Sequence, residues 1–271
     1  MIKKRMLIIS QEINPYLDYT NMGKIVNSLC KHLQNEQAEL RILMPRFGNI
    51  NERRHRLHEV VRLSGINIVM GDDDMPLLIK VASIPGVRIQ VYFLDNEEFF
   101  KRKYDMRDEK GKFYDDNAER MIFFCKGAME IVKKFAWPPD VVHCHGWMTS
   151  LIPLYIKTAY KKEPVFAKSK VVFSAYENDF TETLNKNFEE LAQMDIIKPK
   201  EFELFKKANH QAVMEGAINY SDGIIAGSEK VDKKVMEFIK AKKKPLLPFS
   251  GLEDTFLPEY TAFYKKLLSA K

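Results

Sequence analysis

The sequence predicts an α/β protein built on a doubly wound, mostly parallel, Rossmann-like sheet. Two stretches carry that expectation. At the front, an apolar strand pattern (residues 6–10), a loop, and a helical pattern with Ile25, Val26, Leu29 and Leu33 on one face precede a second strand pattern (40–45), making a β-loop-α-β unit. In the middle, Asp140-Val141-Val142 runs into His143-Cys144-His145-Gly146-Trp147, and the apolar run 150–156 follows. Strand, tight turn and helix in that order put polar residues at the carboxyl edge of a parallel sheet, where open α/β folds bind ligands.

The other elements follow in order. Residues 46–58 are polar and basic and read as an excursion with a short helix. Residues 60–70, 77–82 and 87–94 hold β-branched and apolar runs and read as strands. Between them, Gly71-Asp72-Asp73-Asp74 reads as a solvated turn, since three consecutive aspartates cannot all face one ion. Residues 97–116 form a long charged loop rich in aromatics (Phe99, Phe100, Tyr104, Phe113, Tyr114), and loops of that length are often functional. A helix is expected over 117–135, with Met121, Phe124, Cys125, Ala128 and Ile131 on one side. After the central strand come a helix through Thr158, a strand at 170–174, an acidic stretch of mixed periodicity at 177–199, a helix over 201–217, a strand at 223–226 and a helix over 231–240. Residues 1–244 read as one domain. Residues 245–271 read as a C-terminal arm whose stripe of Leu252, Phe256, Leu257, Tyr260, Tyr264 and Leu267 either packs on the domain or makes a dimer contact.

Composition narrows the class. The chain has 271 residues, 45% hydrophobic and 30% charged, enough for a sizeable core. No apolar run is long enough to span a bilayer. The basic start leads into polar residues rather than a cleavage site, so it reads as a buried strand and the cytoplasm is the default location. Cys30, Cys125 and Cys144 are too few and scattered for a disulfide framework. His143 and His145 lack a third ligand at suitable spacing, so no metal is expected. The formal net charge of +6 is partly local, as at 240–244, without the aromatic interleaving that nucleic-acid binding uses. The first loop has one glycine, Gly23, where a dinucleotide fingerprint needs three, so neither NAD nor flavin is expected.

Several pieces, in order, resemble the N-terminal, acceptor-side domain of bacterial glycogen synthases and plant starch synthases. Glu12, Pro15, Gly23 and Val26 resemble that family's first strand and glycine-rich loop. Asp95-Asn96, Phe100, Arg102, Tyr104, Tyr114, Asp116-Asn117 and Glu119-Arg120 resemble its aromatic loop and following helix. Asp140 to His143, His145, Trp147, Thr149 and Pro153-Leu154-Tyr155 resemble its histidine-tryptophan motif, and Ala217 to Asp222 with Ser228 resemble the end of the domain. The likeness runs to about Phe238. It implies one half of a GT-B-type glucosyltransferase that moves glucose from a sugar nucleotide, such as ADP-glucose, to an α-1,4-glucan. The second α/β unit such an enzyme needs, roughly 200 residues, is expected to lie outside this chain.

The resemblance breaks mainly on the donor side. Asp18 stands where the family carries a lysine near the ligand, and Thr20 and Asn21 stand for two glycines. Tyr176 stands for a histidine near the sugar, and Glu177 follows it in place of asparagine. Three readings stay open: a synthase-like domain, either a diverged transferase or one working with a separate chain that supplies the donor domain; a noncatalytic glucan-binding or regulatory protein; and an α/β protein whose ligand lies elsewhere. A second copy of the chain is a further candidate partner.

Candidate residues follow from these comparisons. His145, Trp147, Tyr104 and Tyr176 are candidates for contact with a sugar; for His145 the plain alternative is a hydrogen bond to a neighbouring loop, for Trp147 a plug between loop and helix. Gly23 and Lys24 sit where a helix start would hold an anion. Asp18 and Glu177, both in loops after strands, are a candidate carboxylate pair for acid chemistry, with Tyr176 beside them. Glu12 is expected to brace the first loop. Arg102 and Arg120 are expected to organise the long loop by pairing with Asp95, Asp116 or Glu119.

Overall fold

A computed structural model describes residues 4–252 and 256–270. The first three residues of the basic start therefore lie outside it, as do 253–255 within the arm. The strands are β1 (Arg5–Ser10), β2 (Glu39–Pro45), β3 (His58–Glu59), β4 (Ile66–Met70), β5 (Asp73–Ser83), β6 (Gln90–Asp95), β7 (Val141–His145), β8 (Lys170–Ala175), β9 (Gly223–Ala226) and β10 (Leu246–Leu247). The helices are α1 (Asn21–Asn35), α2 (Glu52–His55), α3 (Glu97–Phe100), α4 (Asn117–Phe135), α5 (Leu151–Lys157), α6 (Phe188–Ala192), α7 (Pro199–Phe202), α8 (His210–Tyr220), α9 (Lys233–Lys242) and α10 (Leu257–Ser269).

The sheet runs β10-β9-β8-β7-β1-β2-β6-β5-β3, with β4 paired to β5. From β10 to β6 every neighbour pair is parallel, whereas β5 is antiparallel to β6, β3 and β4. The winding goes one way from β1 to β2 and the other way from β7 through β8 and β9, as a doubly wound fold requires. Buried apolar runs such as Met6–Ile9 and Val141–Val142 show that the central strands are covered on both faces.

The two faces can be told apart at β7. Successive strand residues point to opposite sides. Cys144 neighbours Cys125 of α4, and α4 packs on α5, α5 on α8 and α8 on α9. His143 points the other way and bonds Tyr264 of α10, and α10 packs on α1. The arm's Tyr260, Tyr264 and Leu267 are buried, whereas Leu252 is exposed.

Four local expectations are corrected. Residues 60–65 turn rather than extend: Gly65 has a positive φ of 78°, and the Ser64 hydroxyl accepts the Ile79 N–H in place of a ladder carbonyl. The turn after β4 is shorter than four residues, because β5 begins at Asp73. The long loop opens with the short helix α3, capped by Asn96. The helix expected over 201–217 is broken at Ala208 (φ 48°) and restarts behind Asn209, whose side chain caps α8 by accepting the Ala212 N–H. The break lets the ring of Phe205 fold over Gly216.

A methyl group at Gly216 would sit inside the contact distance of that ring. Gly216→Ala is therefore expected to destabilise the protein by about 1–3 kcal/mol despite its better helix propensity. A double-mutant cycle with Phe205→Leu, read by thermal unfolding, should show the penalty shrinking.

Candidate functional site

The direction of winding reverses between β1 and β7, so the crevice for a ligand lies beyond the carboxyl ends of these two strands. β1 delivers Gln11 and Glu12 there, β2 Phe47 and Asn49, β7 Trp147, and β8 the loop holding Asp179. Together with 103–108 and Phe113 from the long loop they line an open cleft of about 760 Å³.

Glu12 shapes the first loop. It is 4% exposed, and its carboxylate accepts the Tyr19 and Thr20 N–H groups at 2.7 and 2.8 Å and the Thr20 hydroxyl at 2.8 Å. Thr20 in turn caps α1 by accepting the Met22 N–H. Gly23 packs on this brace, where a Cβ would meet Glu12 Oε1 at 2.9 Å. Gln11 ties three loops: its amide donates to Asp179 Oδ2 at 3.1 Å and accepts the Met148 N–H at 3.1 Å. Gly146 next door has a φ of 83° and leaves no room for a side chain against Gln11.

The cleft carries negative charge. Glu12, Asp105, Asp108 and Asp179 line it, against the cations Lys103 and Arg107. Arg107 is already held by both oxygens of Glu182. Burial pushes Asp105 and Asp179 each up to about 6, with Glu12 adding to the repulsion in both cases, and burial also raises Glu12 itself. Among the described residues no group of His, Cys, Asp and Glu could hold a metal ion.

The chain as a whole can now be set beside known proteins. The description "Starch synthase catalytic domain" matches residues 5–244. This chain belongs to the starch synthase catalytic domain family. The glycogen synthase of Chlorobium limicola is 37% identical over 173 residues, which is 64% of this chain and 35% of the relative. That of Chlorobaculum tepidum is 41% identical over 169 residues, 62% of this chain and 35% of the relative. The matched part thus spans about a third of these relatives' length. The catalytic domain of starch synthase IV from Arabidopsis thaliana, bound to ADP and acarbose, superposes with a TM-score of 0.72 at 17% identity, covering 93% of this chain and 53% of that one.

Within this starch synthase fold the candidate residues do not form one cluster. Tyr104 and Trp147 line the large cleft. Tyr104 is half-buried on the long loop, whereas Trp147 is 1% exposed, wedged near the rings of Phe113 and Phe180. His145 is fully buried; its Nδ1 meets the Tyr176 hydroxyl at 2.8 Å, and burial holds it down at about 3. Tyr176 turns inward, with its ring over Gly227. Glu177 faces a second cleft of about 440 Å³ with Asn21, Ser228 and residues 249–252. Asp18 and Lys24 are exposed, and neither lines either of these two clefts. Arg102 pairs with Asp116, but Arg120 bonds the Phe99 and Asp105 carbonyls and the Asn117 side chain instead of a carboxylate. Asp95 is taken by Arg46 and Lys80.

Sequence reasoning missed Gln11, Asn49, Asp105 and Asp179. Gln11, Asn49 and Asp179 stand just past the carboxyl ends of parallel strands, a signal that could have found them. Asp105 had no local signal, because a chain fold-back brings it beside Tyr19 and Arg120.

An acid whose folded pKa lies above its unfolded value binds its proton more tightly when folded, so stability falls as pH rises through the interval between the two. For Asp179 that interval runs from 3.8 to about 6. Asp179→Asn, which keeps an acceptor for Gln11, is expected to gain on the order of 1–3 kcal/mol over wild type above about pH 7, with the gain vanishing near pH 4. Urea unfolding at both pH values reads this directly.

Proposed function

We propose that this chain holds an α-glucan acceptor in the large cleft, as the acceptor half of a glucosyltransferase whose sugar-nucleotide donor, such as ADP-glucose, is bound outside that cleft by a second domain or a separate chain. The observation that carries this reading is the lining. Tyr19, Phe47, Tyr104, Phe113 and Trp147 supply apolar walls, while Asn49, Asp105 and Asp179 supply polar atoms. Flat apolar surface with a few fixed acceptors suits a neutral, polyhydroxylated chain. A pyrophosphate would meet carboxylates outnumbering cations and be repelled. The ADP and acarbose held together by the Arabidopsis starch synthase IV domain support a division between a nucleotide and a saccharide subsite.

A noncatalytic glucan-binding or regulatory role has its own support, because the Tyr176 hydroxyl is bonded to His145 and Asp18 lines neither cleft. Among the described residues no helix is long and apolar enough to cross a membrane. Three buried free cysteines fit a reducing compartment, and we place the chain in the cytoplasm.

Calorimetric titration tests the assignment. Maltoheptaose is expected to bind and ADP-glucose not to bind. Tyr19, 65% exposed at the cleft mouth, and Tyr104 should each weaken maltoheptaose five- to tenfold when changed to Ala, about 1–1.4 kcal/mol. ADP-glucose binding without maltoheptaose binding would sink the reading. Glucan extension on the same preparation separates transfer from binding alone.

A further inference from the structure

Strand β4 leaves one edge open. Among the described residues it pairs with β5 alone. On β5, Leu77 turns its carbonyl to this side, where it accepts the Gly65 N–H. Backbone groups alternate along an antiparallel strand, so Leu77, Met75 and Asp73 bond Ile66, Ile68 and Met70, and Asn67 and Val69 turn theirs outward. Pro76, opposite Asn67, fits this pattern: it has no N–H, and its carbonyl accepts from the Asn96 amide. The outward Val69 carbonyl is held by Lys126 Nζ at 3.0 Å. The Asn67 N–H, the Asn67 carbonyl and the Val69 N–H have no partner among the described residues.

That edge lines a cleft of about 420 Å³ that shares no residue with the large one. Lys126 of α4, itself buried, also holds the Leu191 carbonyl at 2.8 Å and so ties α6 to β4 across the cleft. Glu190, Gln193, Met194 and Asp195 line it too. Val69, 60% exposed, offers an apolar side chain beside the free backbone groups.

Charge decides what fits. Glu190 and Asp195 are exposed and have no salt bridge among the described residues, and Glu130 lines the same cleft. Lys126 is the one cation in the lining, and two of its N–H groups are on carbonyls. The chain as a whole carries +6, so the cleft is a local reversal of sign. A second copy paired edge to edge would set these carboxylates against themselves, whereas a basic segment would meet them.

We propose that β4 takes an extended, basic peptide segment of a partner protein as an added strand. Its backbone pairs with Asn67 and Val69, and its lysine or arginine side chains face Glu190 and Asp195.

A fluorescein-labelled hexapeptide of alternating lysine and valine, read by anisotropy, tests this. It should bind wild type, and its counterpart with glutamate for lysine should not; equal binding by the two overturns the proposal. Two N-methylated forms, one blocked at the lysine amides and one at the valine amides, separate strand pairing from charge alone. One set of amides faces β4, so one form should bind at least about tenfold more weakly and the other as the parent does. Equal binding by these two forms also overturns it. Glu190→Gln with Asp195→Asn should weaken the parent peptide about five- to tenfold. Asn67→Pro, which an outward edge position tolerates, should do so by a similar factor, with thermal unfolding as the check on folding. A peptide unaffected by these variants sits elsewhere, as in the acidic large cleft, and the proposal fails. If Asn67→Pro does not fold, the N-methylated pair decides on wild type alone. A dimer of the protein alone that Asn67→Pro dissolves would assign the edge to a second copy and overturn the peptide.

Discussion

The buried carboxylate of Glu12 is the constraint on which the site depends. A desolvated anion must be met by donors, and here the donors are the Tyr19 and Thr20 backbone and the Thr20 hydroxyl. Meeting them forces the first loop to curl back on β1 and sets where α1 begins. It also requires glycine at position 23, since any Cβ there would strike the carboxylate or the Leu17 carbonyl. The same charge reaches Asp179 and Asp105 and helps hold their carboxyls above the usual range. The negative character of the cleft is thus written into the brace that holds its first wall, not added by surface residues that could vary freely.

What could be read from the sequence follows from the range of the interactions. Strands and most helices were legible because hydrophobic periodicity is local. The place of His143, Cys144 and His145 on alternate faces follows from strand geometry alone, whereas the register of Val141–His145 against Met6–Ser10 is set by packing between distant parts of the chain. The break before α8 was not legible, since a positive φ at Ala208 has no composition signal. The site was legible only in part. His145, Trp147 and Tyr176 lie at the carboxyl edge as their strands demand, but their burial depends on Phe113, Phe180 and Gly227, far away in the chain. The exposed side chains Asp18 and Lys24 looked functional because charge in a loop after a strand is a generic signal, whereas the structure gives the inner surface to Gln11, Asn49, Asp105 and Asp179.

The arm has a physical reason to lie where it does. A parallel sheet needs both faces covered, and the winding sends α4, α5, α8 and α9 to one face against α1 on the other. α10 covers ground that α1 leaves open: Phe263 and Leu267 press on Gly223, where a Cβ would meet Leu267 at 2.6 Å, and His32 of α1 bonds Thr261. Once a helix sits there, the inward side chains of β7 and β8 on that face, His143 and Ser174, become buried polar groups. Tyr264 supplies the partner that His143 then requires, and His143 in turn meets Ser174. Cover and polar satisfaction are the same event.

Transfer from a sugar nucleotide develops negative charge on the leaving phosphate, and fixed cations are what stabilise it. Around the large cleft the cations are Lys103 and Arg107, and Arg107 is committed to Glu182. Asp18 does not line the cleft, and its charge acts there through Glu12, whose carboxyl it helps to raise. The hostility comes from Glu12, Asp105, Asp108 and Asp179; the Glu12 charge cannot be removed without loosening the first loop, whereas an amide at Asp179 would keep the tie to Gln11. On the glucan reading, acceptor and donor are therefore separated by electrostatics that the fold itself requires. The acceptor cleft keeps its carboxylates for hydroxyl groups, and the phosphate charge must be met by residues that do not line it.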